Sequence, residues 1–159
     1  MKIVNLNINN ISDVAELEKE CFVHPWSEQS IRDYFENPDA HFFVATDDTE
    51  NGVDGINSDG VSKVVGYIGS YIICDEAYIT NVAVKKSSRQ RGIGTALLEK
   101  CVECARNRGA SFISLEVRIS NTPAVNLYKR AGFESAGVRP SFYRDPDEDA
   151  LIMTKRFKP

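Results

Sequence analysis

The feature that most constrains the fold is Arg89–Gly94, which reads RQRGIG and lies where the hydrophobic period changes. An apolar strand ends before it at Val84, and apolar residues recur at helical spacing after it, up to Arg108. The first turn of such a helix leaves backbone N–H groups unpaired, and the helix dipole favours an anion there. Together with the glycines, which permit close approach, and two arginines, this pattern predicts a pyrophosphate-binding turn between strand and helix.

The same segment excludes two common nucleotide-binding motifs. The spacing of a Walker loop is absent, and so are the third glycine and the first strand of a dinucleotide-binding unit. Taken alone, the segment also fits a plain glycine-rich helix start with two surface arginines.

Composition limits the class of protein further. The chain has 159 residues, of which 42% are hydrophobic and 26% charged, so one globular domain over residues 1–159 is expected. The net charge of −4 argues against nucleic-acid binding as the main function. The longest apolar stretch, Val64–Cys74, is too short to cross a bilayer, and the start of the chain lacks the features of a signal peptide. We therefore expect a cytoplasmic protein without a membrane partner.

The four cysteines predict free, buried thiols rather than a disulfide framework or a metal site. They are Cys21, Cys74, Cys101 and Cys104. Each lies in an apolar segment, and Cys101-x-x-Cys104 has no second pair of ligands for zinc. A cysteine nucleophile needs an accessible, electropositive site, so we expect none here, and we expect no bound metal.

Periodicity predicts the element order β-α-α-β-β-β-α-β-α-β-β, an α/β or α+β domain on a mostly antiparallel sheet. Ser12 or Asp13 is expected to cap the first helix and Ser27 the second, with Phe35 turned inward. An acidic turn at Asp75–Glu76 should join two strands. The predicted strands are 1–7, 41–46, 64–74, 77–84, 111–117, 133–139 and 150–157, and the later helices are 92–108 and 122–131.

The segment 47–63 is unusually polar and is predicted to be a loop inserted between strands. It carries three glycines and five acidic residues. Its start partly fits a calcium-binding EF-hand loop, but Ser58 stands where a bidentate glutamate is needed. A solvated loop is the favoured interpretation.

A second group of residues indicates chemistry. Glu116 lies in a hydrophobic strand, where a carboxylate is unusual. It either serves a reaction or points to solvent and pairs with Arg118. Asn121 and Tyr128 lie two turns apart on the next helix, so they share a face. They either contact a ligand or act as a helix cap and a core aromatic residue.

These pieces occur together in the order and spacing of one family. The blocks are VAV at 82–84, RQRGIG at 89–94, LEVR at 115–118, NTPAVNLY at 121–128 and AGF at 131–133. The chain closely resembles the GNAT acetyltransferases, and within them the RimI type, which acetylates protein N-termini. Pro25-Trp26-Ser27 and Asp75-Glu76-Ala77 also match that type. The resemblance covers nearly the whole chain apart from 47–63.

The resemblance implies a single GNAT domain whose strands splay apart at an acetyl-CoA site. The strand matching 82–84 would bind the pantetheine arm, and the turn at 89–94 would hold the pyrophosphate. The implied cofactor residues are Val82, Ala83, Val84, Arg89, Gln90, Arg91, Gly92, Ile93, Gly94, Thr95 and Asn121.

The resemblance also implies Glu116 as proton acceptor and Tyr128 as proton donor in direct acetyl transfer. Trp26, Glu76, Phe142 and Tyr143 would line the acceptor side, with Phe142 standing where the type often carries a tyrosine. The implied acceptor is a protein N-terminus, small-subunit ribosomal protein eighteen in bacterial relatives, and the enzyme would be a monomer or weak homo-oligomer. The alternatives are a GNAT enzyme for a small amine or a lysine, and a non-catalytic CoA-binding module.

Overall fold

The structure is a computed structural model that describes residues 1–47 and 63–158. The described elements follow the predicted order, with a short 3₁₀ helix at Ile8–Asn10 and another at Lys86–Ser88. The strands are β1 (Lys2–Asn5), β2 (Ala40–Asp47), β3 (Lys63–Ile73), β4 (Glu76–Val84), β5 (Phe112–Arg118), β6 (Glu134–Tyr143) and β7 (Glu148–Arg156). The helices are α1 (Ile11–Cys21), α2 (Glu28–Glu36), α3 (Ile93–Asn107) and α4 (Thr122–Arg130).

The strands form one sheet in the order β1-β2-β3-β4-β5-β7-β6. Every neighbouring pair is antiparallel except β4 and β5, which run parallel. The β4–β5 ladder covers only three residue pairs, from Glu76↔Phe112 to Tyr78↔Ser114. Beyond Tyr78 and Ser114 the two strands are unpaired with each other, which confirms the predicted splay in the middle of the sheet.

Helices cover both faces of the sheet, and alternation along the strands sorts residues between them. On one face, Leu97 and Cys101 of α3 pack in a cluster that includes Ile113 and Leu115 of β5. On the other face, Val14 of α1 and Ile31 of α2 pack with residues of β2 and β3. Helix α4 contributes to the first cluster through Tyr128.

Of the two predicted helix caps one is confirmed and one is wrong, and the predicted burial of Phe35 is also wrong. The Ser27 hydroxyl accepts a hydrogen bond from the Ser30 N–H at 3.1 Å and caps α2 as predicted. Helix α1 begins earlier than predicted, because the Asn7 side chain caps the 3₁₀ helix that leads directly into Ile11. Neither Ser12 nor Asp13 caps it. Phe35 is 39% exposed, because only Ile31 of α2 is fully buried and the apolar stripe is narrower than predicted.

The β3–β4 hairpin turns at Cys74–Asp75, so Glu76 is the first residue of β4 rather than part of the turn. Cys74 is therefore exposed, and its φ of 54° is left-handed. Cys21 and Cys104 are half-buried, so the prediction of four buried thiols holds for Cys101 alone. All four are free, and burial raises the pKa of Cys101 to about 12, which disfavours a thiolate nucleophile there.

The inserted segment is shorter than predicted at both ends. Asp47 ends β2 and Lys63 begins β3, and the two residues are partners in the ladder. The calcium interpretation rests mainly on residues 48–62, which lie outside the described residues. Within the described ranges, no group of three or more acidic, histidine or cysteine side chains could hold a metal ion. None of the helices described by the structure is long and apolar enough to span a membrane.

Candidate active site

The opening between β4 and β5 exposes one edge of the β4 backbone. Val82, Ala83 and Val84 pair with β3 on one side, in register with Ile68, Tyr67 and Gly66. On the other side they have no ladder partner in β5, because the last residue pair of the β4–β5 ladder is Tyr78↔Ser114. The Val84 carbonyl accepts from Arg89, and the other peptide groups of this stretch that point away from β3 are available to a ligand with its own amides.

The turn at the start of α3 adjoins this opening. Gly92 is the N-cap of α3 with a left-handed φ of 78°, and it has no side chain to cap the helix. The first helical hydrogen bond runs from the Ala96 N–H to the Gly92 carbonyl, so the N–H groups of Ile93, Gly94 and Thr95 precede it. A methyl group added at Gly92 would meet no heavy atom within 4 Å, so there is open space for a ligand beside this glycine.

Both arginines of this turn are tied back to the protein. The Arg89 Nε donates to the Val84 carbonyl at 3.1 Å. The Arg91 guanidinium pairs with the buried Asp47 carboxylate at 2.5 Å. Gln90, between them, has a left-handed φ of 62°. The contacts of Arg89 with Val84 and of Arg91 with Asp47 therefore hold the turn in shape without a ligand. The Asp47 carboxylate also balances most of the positive charge of Arg91 before any anion binds.

Glu116 lies on the face of β5 that faces α1 and α2, since its neighbours Leu115 and Val117 pack in the α3 cluster. Its side chain is only 7% exposed. It accepts a hydrogen bond from the Tyr78 hydroxyl and pairs with the Arg139 Nε at 3.2 Å. The alternative of a solvent-facing carboxylate paired with Arg118 is therefore wrong. Tyr78 and Arg139 were not predicted from the sequence.

Asn121 and Tyr128 are placed by α4. The Asn121 side chain caps the helix, accepting from the Ala124 N–H at 3.3 Å. Tyr128 is buried against Phe133, with ring centroids 5.8 Å apart, and burial raises its pKa. Asn121 therefore acts as a helix cap and Tyr128 as a core aromatic residue. Neither of these roles excludes contact with a ligand. Tyr128 and Glu116 approach the sheet from opposite faces and can meet only through the β4–β5 opening.

The predicted acceptor residues lie in three places: the segment between α1 and α2, the end of β6, and the start of β4. Trp26, between α1 and α2, packs on Tyr34 with ring centroids 4.5 Å apart. Tyr143 lies at the end of β6 and contacts Phe142 edge-on at 5.0 Å. Burial and the neighbouring Glu116 raise the pKa of Tyr143 to about 12, which keeps its hydroxyl protonated. Glu76 is exposed at the paired end of β4, away from the opening.

Sequence reasoning missed a buried carboxylate that supports the acceptor side, where Trp26 lies. Glu18 of α1 is fully buried, and its oxygens accept from the Tyr67 hydroxyl, the Asn81 side chain at 2.8 Å and the Trp26 N–H at 3.0 Å. Burial is the main cause that raises its pKa. A signal was present in the sequence, because Glu18 follows Val14 by four residues and so falls on the apolar face of α1.

Three comparisons place this arrangement among known proteins. The acetyltransferase (GNAT) family matches residues 11–133. A Bacillus subtilis (strain 168) protein named "Putative ribosomal protein bS18-alanine N-acetyltransferase" is 39% identical over 150 residues, covering 94% of this chain and 91% of that protein. The ribosomal protein bS18-alanine N-acetyltransferase of Escherichia coli (strain K12) is 30% identical over 153 residues, covering 95% and 94%. The crystal structure of the Escherichia coli ribosomal-protein-S18-alanine N-acetyltransferase superposes with a TM-score of 0.82 at 29% identity, covering 99% of this chain and 94% of that one.

Proposed function

We propose, on the premise that the chain belongs to the GNAT acetyltransferase family, that it acetylates the α-amine of a protein N-terminus with acetyl-CoA as donor. The observation that carries this proposal is the buried side chain of Glu116 beside the β4–β5 opening, on the face where Trp26 and Tyr143 lie. The names of the Bacillus subtilis and Escherichia coli relatives favour an N-terminal alanine of ribosomal protein bS18 as the acceptor. Such an acceptor would place the activity in the cytoplasm.

The described residues fit acetyl-CoA. The free edge of Val82–Val84 offers peptide groups to the amides of a pantetheine arm. The N–H groups that begin α3, with open space beside Gly92, suit a pyrophosphate. Asn121 would contribute from the start of α4. Acetyl-CoA, when bound, supplies an activated thioester.

Glu116 is the proposed general base. An α-ammonium group has a pKa of about 7.7–8.0, so only a modest driving force is needed to deprotonate it near neutral pH. Arg139 and Tyr78 hold the Glu116 carboxylate in one position through an ion pair and a hydrogen bond. Glu116 takes the proton from the amine directly or through one water as the amine attacks.

Tyr128 is the proposed general acid. Its raised pKa keeps the hydroxyl protonated at neutral pH. A thiolate leaving group has a pKa of about 8.5. The Tyr128 hydroxyl donates its proton to the sulfur through the opening as the C–S bond breaks, and it regains a proton from solvent, while Glu116 releases the amine proton to solvent. The two proton transfers then occur on opposite sides of the sheet, so base and acid do not neutralise each other.

The test is acetylation of a synthetic peptide that begins with free alanine and contains internal lysines, read by mass spectrometry. We expect one acetyl group on the α-amine and none on the lysines. The same peptide with its N-terminus blocked in advance is the control and should gain no acetyl group. Efficient acetylation of an internal lysine in the blocked peptide would contradict the proposal and favour a lysine acetyltransferase.

A further inference from the structure

A buried carboxylate lies beside the turn that begins α3. Asp47, the last residue of β2, is 1% exposed, and its Oδ2 lies 2.5 Å from the Nη2 of Arg91, 44 positions later in the chain. The Arg91 side chain is itself 44% exposed. A carboxylate is costly to bury, and a cationic partner offsets part of that cost. This ion pair takes no part in the proposed proton transfers, so its presence at the cofactor turn calls for a separate explanation.

The pair lies next to the proposed anion site. Arg91 immediately precedes Gly92, the N-cap of α3, so its guanidinium is within reach of an anion bound to the first N–H groups of the helix. A guanidinium suits phosphate well, because it is planar and donates several hydrogen bonds. Here the Nη2 is bound to Asp47 instead. Two opposite charges in contact largely cancel at a distance, so the pair adds little net attraction for a pyrophosphate.

The other arginine of the turn is held differently. The Arg89 Nε donates to the Val84 carbonyl at 3.1 Å, and its Nη2 lies 3.8 Å from the Cys21 sulfur. The carbonyl is neutral, and burial raises the pKa of the Cys21 thiol, which keeps it neutral as well. The turn therefore carries one arginine held by neutral groups and one whose charge is cancelled by a buried carboxylate.

We propose that Asp47 is a positioning residue that neutralises Arg91 and holds its guanidinium against β2, so that CoA is bound weakly enough to leave after transfer. This inference rests on the proposed function, through its cofactor, and deepens it. Acetyl-CoA and CoA carry the same pyrophosphate, so a charge that tightens one tightens the other by the same factor. Such uniform binding lowers KM without raising kcat, and it slows release of the product.

The experiment measures the Kd of acetyl-CoA and of CoA by calorimetry for Asp47→Asn, Arg91→Gln and the double variant. The net charge of the pair is zero in the wild type and in the double variant, positive in Asp47→Asn and negative in Arg91→Gln. At low ionic strength we expect Asp47→Asn to bind both ligands about three- to fivefold more tightly. Arg91→Gln should bind both more weakly by a similar factor, and the double variant should bind near the wild-type value.

Ionic strength gives a second readout, which a purely structural role would not move. The Debye length falls from about 30 Å at 0.01 M to about 3 Å at 1 M, so the affinities of the variants should converge as salt is added. In steady-state assays, Asp47→Asn should lower the KM for acetyl-CoA without raising kcat.

A matched control is Glu28→Gln, which changes the net charge of the protein by the same amount as Asp47→Asn. It removes an exposed pair with Arg32 at 3.4 Å on α2, across the sheet from α3. Its affinity for both ligands should stay at the wild-type value. Melting temperatures check that each variant is folded. If Asp47→Asn does not fold, the comparison of Arg91→Gln with the double variant decides the question.

A purely structural pair predicts a different pattern. If Asp47 only fastens the turn, both single variants weaken binding, the double variant is not restored, and the losses persist at high salt. That pattern, or unchanged affinities in all three variants, would overturn the proposal. Failure of the proposed function is distinguishable from this. If the wild type binds no acetyl-CoA, the proposed cofactor fails before any variant is compared. If the wild type binds acetyl-CoA and the charge order is absent, only the role of Asp47 is wrong.

Discussion

The cofactor side and the acceptor side of this protein are built by different means. The cofactor side is made of backbone: a free strand edge at Val82–Val84 and the N–H groups that begin α3. The acceptor side is made of side chains that reach between distant elements, such as Arg118 on the 144–147 turn and Glu18 on Trp26. Backbone groups are placed mainly by secondary structure, with Arg89 and Arg91 supporting the turn, whereas each contact on the acceptor side needs two elements to be positioned together. Single substitutions should therefore separate the two sides cleanly.

The largest effect is expected on the acceptor side, from Glu116→Gln. The amide keeps the shape of the carboxylate but cannot accept a proton, so the rate should fall by roughly 10²–10⁴ at pH 7. Acetyl-CoA affinity should not change, and raising the pH should recover part of the rate because more amine is neutral. Glu103→Gln, on an exposed part of α3, is the control. Near wild-type rates would mean that another group is the base.

Gly92→Val tests the backbone side. A branched side chain at φ 78° costs about 1–2 kcal/mol and occupies the space assigned to the pyrophosphate. We expect acetyl-CoA affinity to fall by about tenfold or more in calorimetry. Gly92→Asn, which tolerates this φ, separates backbone strain from blockage. Arg91→Ala should do less harm, since Arg91 is already paired with Asp47. Unchanged affinity in a folded Gly92→Val protein would remove the pyrophosphate assignment.

Tyr143→Ala should affect the acceptor side alone. The substitution removes the ring that packs under Arg118 and against Phe142. We expect the KM for the peptide to rise by about three- to tenfold, the usual value of such aromatic contacts, with no change in acetyl-CoA affinity. Tyr143→Phe keeps the ring and should stay near the wild type. A matching loss of acetyl-CoA affinity would show that the two sides are not independent.

The pH dependence of stability tests the buried Glu18. Its raised pKa means that the folded state binds the proton more tightly than the unfolded state. The protonated Glu18 contributes its full share of stability when the pH is below the ordinary glutamate pKa. That contribution is lost as the pH rises through the pKa of Glu18 in the folded protein. Relative to Glu18→Gln, the free energy of unfolding of the wild type should therefore decrease over that window in urea titrations. Parallel curves would mean that Glu18 does not titrate differently on folding.

The smallest effect is expected from replacing residues 48–62 with an Asn-Gly turn. Asp47 and Lys63 are already ladder partners, so a two-residue connection suits their positions. Acetyl transfer should stay within a few-fold, because loop-closure entropy changes slowly with length. A large loss of activity in a stably folded variant would contradict this. So would a calcium-dependent rise in the melting temperature of the intact protein.

The sequence predicted the backbone side better than the side-chain side, for a physical reason. Hydrophobic period and glycine placement act locally, so the element order and the turn before α3 could be predicted from short segments. The start of α1 could not, because the Asn7 cap of a 3₁₀ helix competed with Ser12 and Asp13. The partners of Arg118 lie 26 to 30 residues away, and no local pattern specifies them. Glu116 was recognised as unusual, but Tyr78 and Arg139 were not predicted as its partners.

The three-pair ladder between β4 and β5 gives the sheet an edge in its interior. Amides on such an edge lack the protection of a neighbouring strand, so those of residues 79–84 that point away from β3 should exchange with solvent quickly in the free protein. A bound pantetheine arm would occupy that edge as a neighbouring strand does, and would slow the exchange of the same amides. Binding of acetyl-CoA then stabilises the junction between β1–β4 and β5–β7. The free energy needed to separate these two halves of the sheet rises with the concentration of acetyl-CoA.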